Sequence, residues 1–122
     1  MEVLAKHNML QKLARKQKRV KRVRGKIFSH KKLPRLSVFR SNKRIYAQII
    51  DDTKEVTLAS ASDHGMNAKL TKTQKAEKIG QMIATKAVKI KTKKVVFDRG
   101  PFAYHGRVKA VATGARKGGL VF

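Results

Sequence analysis

Residues 97–110 read Phe97-Asp98-Arg99-Gly100-Pro101-Phe102-Ala103-Tyr104-His105-Gly106-Arg107-Val108-Lys109-Ala110. The pattern is the end of an apolar strand, a Gly-Pro loop and the start of a helix. Val95-Val96-Phe97 is a strand of the buried type. Val108, Val111, Ala112 and Ala115 recur at helical spacing, which predicts a helix from about Gly106 to Lys117 that Gly118-Gly119 stops. Gly114 inside this helix implies close packing on the sheet or close approach of a ligand. Leu120-Val121-Phe122 is apolar and should fold back onto the core.

Upstream of the junction the spacing predicts another helix. Thr71 and Gln74 stand at capping-box spacing. Ala76, Ile79, Ile83, Ala87 and Ile90 form the apolar stripe, and Lys72, Lys75, Lys78, Lys86 and Lys89 lie off it. Before that helix the period changes to two. Arg35–Arg40, Ile45–Ile50 and Val56–Ser62 read as strands, joined by the polar turns Ser41-Asn42-Lys43-Arg44 and Asp51-Asp52-Thr53-Lys54. Short turns make the three an antiparallel meander. The order β-β-β-α-β-α then predicts an α/β (α+β) domain. Its last strand returns parallel to the meander through a crossover, giving a mixed four-stranded sheet packed with two helices.

Residues 1–32 differ from the rest. They hold 12 Lys/Arg and one acid, Glu2. The stretch Lys12–Lys26 is made of good helix formers, but like charges at i,i+4 oppose an isolated helix. The expectation is a basic N-terminal arm over 1–32, frayed when free and helical or extended when bound, followed by a compact domain over 33–122. Pro34, which pushes its neighbour toward extended geometry, marks the boundary.

The 122 residues carry 31 Lys+Arg against 7 Asp+Glu, a formal net charge of +24. Self-repulsion of this size is tolerated when a polyanion neutralises it. No run of apolar residues is long enough to span a membrane and no signal-peptide core follows the N-terminal charges, so the expected location is cytoplasmic. The absence of cysteine excludes disulfides and thiolate metal sites.

Catalytic chemistry finds little support. A two-metal nuclease needs several converging acids. Asp51 and Asp52 sit in a turn where Asp is common for backbone reasons, and Asp98, with Arg99 beside it, reads as a structural hydrogen-bonding or ion-pairing group. Ser60, Ser62, Asp63 and His64 offer triad side chains without an elbow or an oxyanion motif. His7, His30, His64 and His105 are too far apart in sequence to suggest a metal site. Gly114–Gly119 fails the phosphate-loop spacing and lies at a helix C-terminus, whose dipole repels phosphate. No enzyme, metal, cofactor or small-molecule substrate is expected.

The basic and aromatic groups are more informative. Tyr104, His105, Arg107 and Lys109 surround a helix N-terminus whose N–H groups can bind phosphate. Phe102 and Tyr104 can stack on bases, and Arg107 can contact a phosphate or a guanine edge. Arg40, Asn42, Lys43, Arg44 and Tyr46 form a second basic patch. A solvated charged surface, with Phe102 in the core, is the plainer reading of each residue alone. That the arm, the hairpin and the junction share one sign favours a binding surface.

At these residues the sequence resembles the bacterial large-subunit ribosomal protein eighteen family, which binds 5S ribosomal RNA. The resemblance rests on FDRGPFAYHGRVKA at 97–110, RSNKRIYAQII at 40–50 and ARKGGLVF at 115–122, and it covers nearly the whole chain. Thr113-Gly114 stands where the family favours better helix formers, and Lys117 where an acid often occurs. The resemblance implies a structural, RNA-binding constituent of the large ribosomal subunit. The implied partners are 5S and 23S ribosomal RNA and the neighbouring 5S-binding proteins of the central protuberance. By motif position the implied RNA contacts are Arg40, Ser41, Asn42, Lys43, Arg44 and Tyr46 of the hairpin, and Arg99, Tyr104, His105, Gly106, Arg107 and Lys109 of the junction. Arg15, Lys16, Arg19, Arg22 and Arg24 are the candidate contacts of the arm. The alternatives are a DNA-architectural, nucleoid-type protein and, more remotely, a metal-dependent nuclease.

Overall fold

A computed structural model describes the backbone of residues 2–28 and 33–122 and, within them, the side chains of 9–22 and 33–122. The elements are α1 (Glu2–Phe28), β1 (Arg35–Arg40), β2 (Ile45–Asp51), β3 (Val56–Ser62), α2 (Lys72–Lys89), β4 (Val96–Asp98) and α3 (Arg107–Lys117). The four strands form one sheet in the order β3-β2-β1-β4. β1 pairs antiparallel with β2 and β2 with β3, whereas β4 lies parallel to β1. The sheet is therefore mixed, as the element order predicts.

Alternation along the strands divides the sheet into two faces. Leu36 and Val38 of β1, Ile45, Ala47 and Ile49 of β2 and Ala61 of β3 are buried on one of them. Their neighbours Phe39, Tyr46, Gln48 and Ser60 are exposed on the other. Helices α2 and α3 cover the apolar face with Ala76, Ile79, Ile83, Ala87, Val108, Val111 and Ala115.

α2 begins where its sequence signature places it. The Gln74 amide donates to Thr71 Oγ1 at 3.1 Å and the Thr71 amide donates to Gln74 Oε1 at 2.9 Å, closing the capping box. The helix ends before Ile90, which caps it and is 41% exposed, so this residue does not belong to the buried stripe. Gly80 and Ala84 are buried instead. They face α3, and their small size is what the hydrophobic spacing failed to register.

β4 is displaced by one residue from the expected Val95–Phe97. The Val95 amide donates to the Val121 carbonyl at 3.1 Å, so this residue is held by the C-terminal segment. That segment returns to the core as expected: Leu120 is buried, and the Phe122 ring stacks on Phe97 at 5.5 Å.

The glycine in α3 serves a helix crossing rather than the sheet or a ligand. A Cβ on Gly114 would lie 3.0 Å from the Glu77 carbonyl carbon and closer still to its oxygen. One on Gly80 would lie 2.6 Å from the Ala115 amide nitrogen and closer still to the Val111 carbonyl oxygen. α3 runs unbroken through Thr113-Gly114, and Lys117 forms an ion pair with Glu77 of α2 at 2.6 Å.

The chain over 2–28 is one continuous helix. Its described side chains are exposed except the half-buried Val20, and it touches the domain at β4. Helix formers explain the conformation, while Lys12/Lys16, Arg15/Arg19 and Lys18/Arg22 place like charges at i,i+4.

Two tests follow from this packing. Gly114→Ala should destabilise the domain by about 1–3 kcal/mol in urea unfolding. The cost of pushing two backbones apart exceeds the roughly 1 kcal/mol that Ala gains over Gly in a helix. Thr113→Ala beside it should stay within about 0.5 kcal/mol of wild type. A peptide of residues 1–28 should gain helical circular dichroism at 222 nm as sodium chloride rises from about 10 mM to about 1 M, because screening removes the i,i+4 repulsion.

Candidate nucleic-acid interface

The hairpin between β1 and β2 is built by its own polar groups. The Ser41 amide donates to the Arg44 carbonyl at 2.9 Å, and the Arg44 amide donates to Ser41 Oγ at 3.1 Å. Two cations from elsewhere grip its backbone. Arg107 Nη1 donates to the Ser41 carbonyl at 3.0 Å, and Lys72 Nζ donates to the Asn42 carbonyl at 2.7 Å. Arg107 opens α3 and Lys72 opens α2. A cation in a first turn opposes the helix dipole, and neither first turn holds an acid. The hairpin carbonyls offset that penalty and hold both helix starts beside the turn. The hairpin and the strand–helix junction thus lie side by side. Asn42, Lys43 and Arg44 remain exposed there.

Aromatic contacts extend the same junction. The Phe102 ring meets Phe39 edge-on at 6.0 Å, and the Arg40 guanidinium lies over Phe102 at 5.1 Å. Phe39 in turn lies 6.2 Å from Tyr46. Phe102 is half-buried, as an edge of this cluster rather than a free stacking surface. Phe39 was not among the residues singled out from the sequence. It is 52% exposed, and the available signal was an aromatic on the polar face of an alternating strand. From sequence alone Lys72 reads as a solvated lysine of the polar helix face.

The loop from 98 to 106 owes its shape to inward-facing groups. Asp98 is fully buried, accepts from the Gly100 amide at 2.9 Å and takes Arg35 Nη1 at 2.8 Å. It thus forms an ion pair with Arg35 of β1, across the parallel ladder. Arg99 Nη1 donates to the Phe102 carbonyl at 2.6 Å and so braces the loop. Gly106 has φ +57° and ψ −123°, a conformation open to glycine, and it lets α3 start without a side-chain cap. Its contribution is conformational.

Tyr104 is separate from Phe102. Its ring meets Phe97 edge-on at 5.7 Å, and its Oη accepts from Arg116 Nη1 at 3.3 Å. The Arg116 guanidinium also lies over Phe122 at 4.5 Å. Two aromatic clusters therefore flank the junction, one with the hairpin and one with the C-terminus. His105 and Lys109 are exposed. On α1, Arg15, Lys16, Arg19 and Arg22 are exposed. The side chain of Arg24 lies outside the described residues, as do those of His7 and His30.

Three further acids have partners of their own. Asp51 Oδ1 accepts from the Thr53 amide at 3.0 Å, Asp52 takes Arg35 Nε at 3.0 Å, and Asp63 lies 4.0 Å from Arg44 Nη1. Ser62 Oγ accepts from the His64 amide at 3.4 Å. Among the described residues no group of three or more His, Cys, Asp or Glu could hold a metal ion, and no helix is long and apolar enough to cross a membrane.

Comparison with known proteins gives one consistent result. Residues 10–122 match the model of the family described as ribosomal L18 of archaea, bacteria, mitochondria and chloroplast. The large ribosomal subunit protein uL18 of Thermus thermophilus is 57% identical over 101 residues, 83% of this chain and 89% of the relative. The protein of the same name from Leuconostoc citreum is 55% identical over 105 residues, 86% of this chain and 90% of the relative. That from Bacteroides thetaiotaomicron is 54% identical over 114 residues, 93% of this chain and all of the relative. With the match extending from the arm through the hairpin and junction to the last residue, the chain belongs to the ribosomal L18 family.

Proposed function

We propose that this protein is a non-enzymatic, structural constituent of the large ribosomal subunit in the cytoplasm. It binds 5S ribosomal RNA and helps attach it to 23S ribosomal RNA in the central protuberance, beside the neighbouring 5S-binding proteins. The observation that carries the reading, together with the family, is the contact of Arg107 with the hairpin at 3.0 Å. It joins two basic segments distant in sequence into one surface. Arm 1–32 and domain 33–122 divide the task. The exposed cations of α1 neutralise phosphate over a long reach, and the hairpin and junction meet the shape and unpaired bases of folded RNA. Among the junction residues His105, Arg107 and Lys109 are the direct contacts. Arg99 and Gly106 position the loop, and Tyr104 presents the edge of the C-terminal aromatic cluster.

A gel-shift comparison of 5S ribosomal RNA, an unrelated structured RNA and duplex DNA at one salt concentration tests this function. Preferential binding of 5S RNA is expected; equal affinity for all three would favour the DNA-architectural alternative. Deleting residues 1–24, which removes nine cations, should leave the domain folded and lower the slope of log K against log salt by about 3–4, if roughly half of those cations each release about 0.7–0.9 of a counterion. An unchanged slope would show that the arm touches no phosphate.

Arg107→Ala should weaken 5S binding by about 1–3 kcal/mol. Because Arg107 holds the Ser41 carbonyl, the same substitution should speed amide hydrogen exchange at 41–44 in the free protein, and Lys72→Met should do likewise. Unaltered exchange in both variants would mean that the turn holds itself.

A further inference from the structure

The open face of the sheet carries a surface that adjoins the hairpin and shares only Tyr46 with the contacts implied there. The ladder pairs Tyr46 with Ser62 and Gln48 with Ser60, so these four side chains form a square on the face away from the helices. A groove of about 440 Å³ runs over this square and round the outer edge of β3, lined by Tyr46, Gln48, Ser60, Ser62, His64 and Lys86. Its size falls in the roughly 300–1,000 Å³ range of sites for small organic groups. Lys86 Nζ donates to the Ser60 carbonyl at 2.6 Å, which covers part of the bare edge of β3 and fixes a positive charge at the rim. Tyr46 is 42% exposed. Among the described residues the Gln48 carboxamide makes no hydrogen bond, leaving both its donor and its acceptor available.

We propose that this square is a platform for one unpaired nucleotide of RNA: the base stacks on Tyr46, the Gln48 carboxamide pairs with the base edge, and Lys86 faces the phosphate. The proposal rests on the reading that the protein binds ribosomal RNA. Three features select a nucleotide over a peptide. An aromatic ring beside a free amide matches a base, which offers a flat face and a donor–acceptor edge. The rim charge is positive. The platform also continues the hairpin–junction surface, because Tyr46 contacts Phe39 and Phe39 contacts Phe102, the residue under the Arg40 guanidinium. An RNA strand leaving the hairpin cations reaches Tyr46 without crossing a gap in that surface.

The test compares binding of 5S ribosomal RNA by wild type, Tyr46→Leu, Gln48→Leu and Tyr46→Phe over a salt series, with circular dichroism to check folding. Tyr46→Leu and Gln48→Leu should each weaken binding about tenfold with an unchanged salt slope, since neither removes a charge. Tyr46→Phe keeps the ring and should bind within about twofold of wild type. If either leucine variant binds like wild type, or if Tyr46→Phe fails as Tyr46→Leu does, the platform is overturned. Wild type that shows no preference for 5S RNA would instead overturn the functional reading beneath it. Should a leucine variant not fold, ultraviolet cross-linking of the wild-type complex decides. Nucleotides attached to both Tyr46 and Lys86 support the platform; attachment without Lys86, confined to the arm, hairpin and junction, overturns it.

Discussion

The crossing of α2 and α3 at Gly80 and Gly114 is the constraint on which the binding surface depends. The backbones approach so closely there that a single methyl group on either glycine would meet the opposing chain. The crossing sets more than core packing. Lys72 lies eight residues before Gly80 and Arg107 seven before Gly114, about 10–12 Å along each axis at 1.5 Å per residue. Both helix starts are therefore fixed about two turns from the point of contact. From there both side chains reach consecutive carbonyls of one turn, Ser41 and Asn42. Widening the crossing would shift both helix starts relative to the turn. The hairpin is thus positioned by helices that meet on the far side of the sheet's core.

The charge distribution obeys the same economy. Acids are scarce, and four of them pair with cations of the domain: Asp52 and Asp98 share Arg35, Asp63 faces Arg44, and Glu77 meets Lys117. The exposed cations of α1 repel one another in the free protein, and a polyanion removes that repulsion on binding. Affinity gained this way carries no sequence information. Discrimination must come from the rigid parts, where backbone carbonyls, aromatic rings and guanidinium groups already sit in fixed positions. On the proposed function the arm and the domain would supply different halves of recognition.

The sequence showed the elements more clearly than their contacts. Alternation located the three meander strands, and the Thr71–Gln74 pair located the start of α2, because both signals are local and periodic. What it could not show depended on partners far along the chain. Asp98 read as a structural acid, yet its cation is Arg35, 63 positions away. Gly114 read as a site of close approach, but the approaching element is α2. Gly80 and Ala84 escaped notice because a small residue facing a helix leaves no mark in a hydrophobic pattern. Phe102 and Tyr104, two residues apart, looked like one aromatic pair. The turn of the loop between them sends one to Phe39 and the other to Phe97. The family motifs were legible throughout, since they are strings of residues and need no geometry.

Helices α2 and α3 cover one face of the sheet, and this asymmetry gives the opposite face its character. An open face must be polar enough for water or be covered by a partner. Gln48, Ser60 and Ser62 satisfy the first condition, but Phe39 and Tyr46, at 52% and 42% exposure, do not. Two large rings on adjacent central strands, in contact with each other, form an apolar strip that water solvates poorly. Single exposed hydrophobic residues are ordinary; a paired strip bordered by Arg40, an amide and two hydroxyls is a surface of mixed character. A protein groove would bury the rings and leave the amide and hydroxyls to find partners. A nucleobase does both at once, because its face is apolar and its edge is polar. The strip therefore joins the turn, which is held by Lys72 and Arg107, to the edge strand, which is held by Lys86. In each place a lysine or arginine fixes a backbone carbonyl and so keeps its own charge at the margin of the surface that RNA would cover.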